Sequence, residues 1–459
     1  MSGNSTRKHS GIKVAAAVDF GTHGTGFAWS AIEPLNDIPS DRQIRYSRFN
    51  AASGGVVTHK NLSGVLTNSA GEVAEWGYAA RERWIKETEG GRTDRWGYAT
   101  GYKMALRADT GELGVAQALG SAEVSSLAAV RKLVVGCLAR VRAAAEQDIE
   151  ASGYQADEIR WCLTVPAIWD EDDKQFVREA AVEAGFPHDD DRLLLAIEPE
   201  AAAISGYLRM GMLIDGTGHT EQVPLTKAGA RFLVVDCGGG TVDITAYESL
   251  RDDEIRLAEI GKVCGGRLGS EFLNHAFRTE LLADRLGADV VARLAAEYPA
   301  ELQRMDDQWE SYKVCGEVTG RPAPGGSLRL DESAELRVDV PGEVWDLLSE
   351  ERRRRLVQAS GRRYRLVFTA AETQKVFDAL IDPILDQIDE QLAAMDRTPA
   401  MAGDGGVPYR CMLLVGGFSG CGYLRDRIHH RFGDRIRILR PHNHQSAVLD
   451  GAVHYAYDP

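Results

Sequence analysis

Apolar positions along the chain follow two alternating rhythms. The unbroken apolar run Val14 to Val18 ends on Asp19, and after a glycine-rich break the residues to Ser30 alternate, which predicts a strand pair over 14–30. A mixed stretch of glycine and aromatic residues follows to about Met104. Helical spacing appears near Ser126 to Ala151 and Asp172 to Ala184. Between them, Trp161 to Val165 closes on Pro166 and reads as a buried strand ending at a functional edge. The second half opens after a polar loop, Asp215 to Lys227, with a strand over Arg231 to Val235, and repeats the same grammar up to Val448. Thr319 to Gly326, rich in glycine and proline, predicts a loop at a subdomain edge. From Ala371 to Met395, Val376, Leu380, Ile384 and Ile388 recur every four residues, as an amphipathic helix requires; Pro383 is expected to bend that helix or start a new one. Strands alternating with helices predict an α/β fold.

The two halves echo each other. Val14 to Trp29 reads as apolar strand, Asp19, a turn containing Gly21, Gly24 and Gly26, and an alternating strand. Phe232 to Thr245 repeats this with Asp236, Gly238, Gly239, Gly240, Thr241 and Asp243. One such hairpin per half predicts two similar lobes facing each other across a cleft. Glycine turns let backbone N–H groups approach phosphate oxygens with no Cβ in the way, and an aspartate at a strand end is a hard oxygen ligand. Together they suit a magnesium nucleotide, because Mg2+ keeps several waters and takes one or two protein carboxylates. No G-x-x-x-x-G-K-[ST] occurs, and the first turn runs G-x-x-G-x-G, which is not the dinucleotide order. One hairpin alone reads equally well as a tight turn without a ligand. The matched pair of aspartates favours the ligand.

Composition narrows the partners. A chain of 459 residues, 44% hydrophobic, can build several subdomains with their own cores. A formal net charge of -15 repels polyanions, so nucleic acid is not an expected partner. The polar start and the lack of any apolar run of about twenty residues predict no membrane partner and a cytoplasmic location. The seven cysteines are scattered, never as C-x-x-C, and are expected to be reduced thiols, with neither a zinc site nor a disulfide framework.

As an ordered set the motifs resemble the nucleotide-binding domain of the heat-shock protein 70 family, within the larger group that holds actin and sugar kinases. The first phosphate motif is similar to Asp19-Phe-Gly21-Thr22 and the second to Asp236-Cys-Gly238-Gly239-Gly240-Thr241-Val-Asp243. The first interlobe connection is similar to Ile197-Glu198-Pro199-Glu200-Ala-Ala-Ala203, the adenosine motif to Leu414-Val-Gly416-Gly417, and the second connection to Ala447-Val-Leu-Asp-Gly451-Ala452. Thr164-Val-Pro166-Ala-Ile-Trp169 and Val415-Gly-Gly-Phe418 resemble a divergent branch that lacks the usual peptide-binding domain. The chain ends at Pro459, just after the second connection, so the hydrophobic linker and that domain are expected to be absent.

The resemblance implies a two-lobed actin-like ATPase fold, with ribonuclease H-like lobes and ATP or ADP plus Mg2+ in the cleft. Lobe I would span 1–203 with a subdomain near 50–130, lobe II 204–440 with one near 268–375, and 441–459 would return to lobe I. It also implies roles. Asp19 and Asp236, with Asp243 beside them, would hold Mg2+ through waters. Gly21, Thr22, His23, Gly238, Gly239, Gly240 and Thr241 would cradle phosphates, and Lys103 would reach the γ-phosphate. Glu198 and Asp236 would orient or deprotonate the attacking water, although a helix-capping role for Glu198 stays open. Gly416 and Gly417 would meet adenosine. Glu310 and Lys313, three apart on one helical face, would contact ribose or adenine, or else form an ordinary surface ion pair. Val314 and Gly420 stand where the family's chaperones have two adenine-clamping arginines, His23 replaces a threonine, and Gln445 stands where an aspartate is usual.

Other features have plainer readings. Arg352 to Arg355 follows Glu350 and Glu351 and reads as a solvated helix face; His442-Asn-His444 reads as a loop; Cys237 reads as a small residue facing the sheet. Three functions fit: a slow ATPase switch acting on a partner protein, an ATP-dependent small-molecule kinase or other ATP-using enzyme on the same fold, and a filament-forming actin-like protein.

Overall fold

A computed structural model describes residues 11–50, 57–88, 95–110, 116–209, 213–215, 219–221, 223–252, 255–315, 335–401 and 409–459. The predicted strand pair is β1 (Val14–Phe20) and β2 (Gly24–Ala31), antiparallel with Asp19 opposite Gly26. The mixed stretch after it forms a separate four-stranded sheet that includes β3 (Val65–Asn68) and β4 (Trp96–Thr100), with helix α1 (Gly77–Thr88) packed on it. Next come α2 (Leu127–Glu150), β5 (Ile159–Val165), α3 (Glu171–Glu183), β6 (Leu193–Ile197) and α4 (Glu198–Leu208). The caps explain where α2 and α3 begin: Ser126 Oγ accepts from Ala129 N at 3.1 Å, and Asp170 Oδ1 accepts from Asp173 N at 2.9 Å.

The second half holds β7 (Arg231–Cys237), β8 (Val242–Ser249), β9 (Leu257–Gly266), α5 (Glu271–Ala276), α6 (Pro299–Cys315), α7 (Ala370–Arg397), β10 (Arg410–Val415), α8 (Gly422–Phe432), β11 (Arg437–Pro441) and α9 (Ala447–Tyr457). Within the first large sheet the order is β6-β5-β1-β2, and within the second β11-β10-β7-β8-β9. Each hairpin's first strand runs parallel to a later strand (β1 to β5, β7 to β10), and that strand runs parallel to the next. The sequence echo is therefore an echo of topology, a mixed α/β arrangement repeated.

Among the described residues three large cores hold this together, beside a small fourth of Leu66, Ala80, Trp84 and Tyr98. Along β1 the alternate residues Val14, Ala16, Val18 and Phe20 join a cluster with Leu133, Leu138 and Val141 of α2, while Ala15 and Ala17 join a different one with Ala201 to Ala203 of α4 and Ala452 and Val453 of α9. This second cluster also contains Phe232 and Val234 of β7, so it is shared by both sheets. Its small side chains let backbones approach closely: a Cβ on Gly451 would lie 1.7 Å from the Ala201 carbonyl oxygen. A third cluster, including Ile244, Phe277, Trp309 and Ile384, fills the far side of the second sheet.

Two points differ from expectation. Of the two outcomes expected at Pro383, a new start does not occur, for α7 runs without a break from Ala370 to Arg397. The carbonyl that loses its partner belongs to Ala379, which is exposed to water, while Leu380, Ile381, Ile384 and Leu385 around the proline are buried and hold the helix down. Within the polar loop 215–227, Thr220–Glu221 pairs antiparallel with Leu213–Ile214. The predicted loop Thr319 to Gly326 lies outside the described residues. The arginine run is a solvated helix face, with Arg354 3.3 Å from Glu350 and Arg355 paired with Glu351.

Candidate functional site

The tips of the two hairpins touch. A Cβ on Gly240 would lie 2.2 Å from Thr22 Oγ1 and 2.4 Å from Met104 Sδ, and one on Gly239 would lie 2.6 Å from the His23 Cβ. The second turn is tied down along its carbonyl edge: the amides of Gly269, Ser270 and Glu271, at the start of α5, donate to the oxygens of Gly240, Gly238 and Gly239. Gly238 N closes the turn on the Thr241 oxygen at 2.9 Å, and the amide edge beyond it faces away from this cap. Between the tips lies a cavity of about 230 Å³. Asp19, Gly21, Thr22, His23, Lys103, Glu198, Asp236, Gly238, Gly239, Gly240, Thr241, Glu310, Lys313, Gly416 and Gly417 all line it. Asp243 stands behind Asp236, directly opposite it in the hairpin ladder. One of its oxygens accepts from Ile168 N at 3.1 Å, just past the strand that Pro166 closes, so the expected functional edge of β5 meets the second hairpin.

The charges are out of balance. Four carboxylates, Asp19, Glu198, Asp236 and Asp243, converge on two ammonium groups. Lys60 lies 2.5 Å from Asp19, and Lys103 lies 3.1 Å from Glu198 while facing the rings of Phe20 and Trp169. Burial, only partly offset by Lys103, raises the Glu198 carboxyl to about 7. Burial together with the neighbouring Glu198 and Asp243 holds the Asp236 carboxyl well above the usual range. Two carboxylates facing each other in an antiparallel pair repel, so the Asp236–Asp243 rung destabilises the sheet unless something cationic joins it.

On the opposite wall the helices α5 and α6 build a polar network. Lys313 is buried and donates to Glu310 at 2.8 Å and to Asn274 at 2.6 Å; Asn274 in turn donates to Glu310 and Glu271. The reading of Glu310 and Lys313 as a surface pair is thus corrected, since Lys313 is inside. His23 reaches across from the first hairpin to pair with Glu271. His23 and Lys313, working against burial, pull the Glu271 carboxyl down to about 2. His23, Glu271 and Glu310 also stand close enough to share an ion, but Asn274 and Lys313 already engage the two carboxylates. At the floor, Gly416 has φ +83, and a Cβ there would lie 2.4 Å from Asp236 Oδ1.

Sequence reasoning missed Lys60, Glu271 and Asn274. Lys60 sits in a segment with no motif, and its approach to Asp19 comes from the pairing of Asn61 and Leu62 with β2. Glu271 stands one residue after the loop that caps the second turn and had no local signal beyond a helix start. Cys237 is a buried thiol pushed up by burial and by Asp236, as its reading as a small sheet-facing residue requires. His444 turns inward, where its Nδ1 lies 2.9 Å from the Gly416 oxygen, in keeping with a loop role.

Paired Asp–glycine hairpins on two like sheets, closing on one shared cavity, accompany an order of motifs like that of heat-shock 70 proteins, and along nearly its whole length the chain is similar to such proteins. It is similar to Heat shock 70 kDa protein 12A of Mus musculus, 27% identical over 496 residues that cover 97% of this chain and 70% of that protein. The same identity and coverage hold for Heat shock 70 kDa protein 12A of Homo sapiens. Heat shock 70 kDa protein 12B of Homo sapiens is 26% identical over 501 residues, covering 98% of this chain and 69% of that protein. No family model matches the chain. Among the described residues, no helix is long and apolar enough to cross a membrane.

Proposed function

We propose that the chain binds ATP with Mg2+ in the cavity between the hairpins, hydrolyses it slowly, and acts as a nucleotide-dependent switch on a partner protein. The observation that carries this reading is the charge imbalance at the hairpin tips, set directly beside glycine turns with no Cβ to block a phosphate. The donor set fits the ion: hard oxygens on Asp19 and Asp236 stand within a group of four carboxyls against two lysines, and crowding keeps the Asp236 carboxyl from ionising until a cation joins it. When bound, Mg2+ would supply charge neutralisation at the phosphoryl oxygens.

The chain's own residues divide the rest of the work. The amides of Gly21 to His23 and Gly239 to Thr241 bind phosphate oxygens, and Lys103 is held 3.1 Å from Glu198, where it can shift to a γ-phosphate. Glu198, with its carboxyl near 7, takes a proton from the attacking water at neutral pH. Gly416 and Gly417 on one side and Glu310 and Lys313 on the other flank the nucleoside. The two sheets act as lobes of an actin-like fold, with α4 and α9 as the connections across which closure and opening are transmitted.

A second reading, phosphoryl transfer to a small acceptor, has one feature in its favour. A larger cavity of about 920 Å³ shares Thr22, His23, Leu62, Tyr78 and Glu310 with the first and is also lined by Trp84, Tyr98 and Asp306. Phosphate release and ADP formation measured side by side separate the two. A switch gives equal rates of both, whereas a kinase forms ADP without free phosphate once its acceptor is present.

A further inference from the structure

A lysine lies across two glycines of the first turn. Lys60 precedes Asn61 and Leu62, which pair with β2, and its stem covers the turn: a Cβ on Gly24 would lie 3.4 Å from the Lys60 Cβ, and one on Gly26 would lie 3.1 Å from its Cγ. Side chains at 24 and 26 would push that stem aside, so these glycines seat a cation as well as opening the turn. The stem carries its ammonium into the cavity between the hairpins, 2.5 Å from Asp19 Oδ2. There the pairing is incomplete. Oδ1 of Asp19 accepts from Thr164 Oγ1 at 3.3 Å, whereas Oδ2 is buried and takes no well-directed hydrogen bond, with the ammonium lying against it off the bonding direction. Asp236 and Glu198 attract the same ammonium. Lys103, by contrast, is held at Glu198.

We propose that Lys60 is the resident cation of this site: without metal it bridges Asp19 to a phosphate oxygen of the nucleotide, and when Mg2+ is present it yields Asp19 Oδ2 and stays with the phosphate. An ammonium is a compact charge with three rotatable donors on a flexible stem, so it can hold two oxygens at once or turn from one to the other. A divalent ion, or one of its waters, needs the oxygen that Lys60 covers, and a like charge at contact distance opposes it. Lys60 and Mg2+ therefore compete for Asp19. The bridge to phosphate rests on the nucleotide reading, whereas the competition at Asp19 does not.

The test is calorimetric titration of ADP into the full chain and into Lys60→Met, which keeps the stem and loses the charge, once with MgCl2 and once with EDTA. In EDTA the parent should bind ADP more weakly than with Mg2+ but still saturably. The variant should bind roughly tenfold or more weaker than the parent in EDTA, as loss of a charge-assisted contact requires, and its loss with Mg2+ should be several-fold smaller. With no nucleotide, MgCl2 should raise the melting temperature of Lys60→Met more than that of the parent, because Asp19 is then open to the ion. Lys60→Gln, which keeps a neutral donor, repeats both comparisons and keeps the test decisive if Lys60→Met melts early. ADP bound by the parent only with Mg2+, or losses equal with and without it, would make Lys60 a structural counter-ion and overturn the proposal. No ADP binding by the parent in either solution overturns the nucleotide reading and the bridge with it, and an equal melting response to MgCl2 overturns the competition at Asp19.

Discussion

Glu198 is the residue on which stability and chemistry pull apart. Its carboxyl is raised from 4.5 to about 7, so the fold favours the neutral form. The stability this contributes is complete below about 4.5 and is lost as pH rises through about 7, when a charge must be carried beside Asp236 and Asp19. Glu198→Gln removes that charge and keeps an acceptor for Lys103. The ligand-free variant should be more stable than the parent by about 1–3 kcal/mol at pH 8 and nearly equal to it at pH 4.5, as read by urea unfolding at both. Phosphate release should fall to background in the same variant. A variant no more stable at pH 8 would mean that the carboxylates are already relieved by something other than a bound cation. Gly416→Ala is the complementary case, because the added methyl would press on Asp236 Oδ1 and demand a left-handed backbone of an L-residue. It should cost about 1–3 kcal/mol and weaken nucleotide binding, where a surface glycine would not.

At the scale of elements, α4 and α9 pack on each other within the core that both sheets share. Packing between α4 and α9 is set by alanines and by Gly451, whose backbone approaches Ala201 too closely for any side chain. Gly451→Ala should therefore destabilise the protein by about 3 kcal/mol or more, seen as a lowered urea midpoint with an unchanged slope. Pro383→Ala should act oppositely, restoring a hydrogen bond to Ala379 in the middle of α7 and raising stability by about 1–3 kcal/mol. Such elements were largely legible in the sequence. Apolar runs of β1, β5 and β7 and the capped starts of α2 and α3 carry local signals, and the observed elements begin within a few residues of those signals. No new helix starts at Pro383, because the buried residues around it hold α7 together through the proline. Lys60 and Glu271 could not be found locally, since each reaches the cavity through a contact distant in sequence.

Across the whole molecule, one hairpin-and-parallel-strand unit occurs twice, and the two copies share a core of small side chains beneath the cavity. The duplication was visible as an echo of Asp19 and its glycines in Asp236 and its own. That the two tips meet, Gly240 against Thr22, was not, because the approach depends on how both sheets rest on α4 and α9. This arrangement makes the central claim a claim about one space: four carboxylates, two lysines and two glycine turns are brought together to hold Mg-ATP. Calorimetric titration of Mg-ATP and Mg-ADP into the parent chain and into Asp236→Ala tests it most directly. Saturable binding of both nucleotides by the parent, dependent on Mg2+ and lost or weakened at least about tenfold in Asp236→Ala, is the predicted result. Absence of binding to the parent, or equal affinity in the variant, would contradict it.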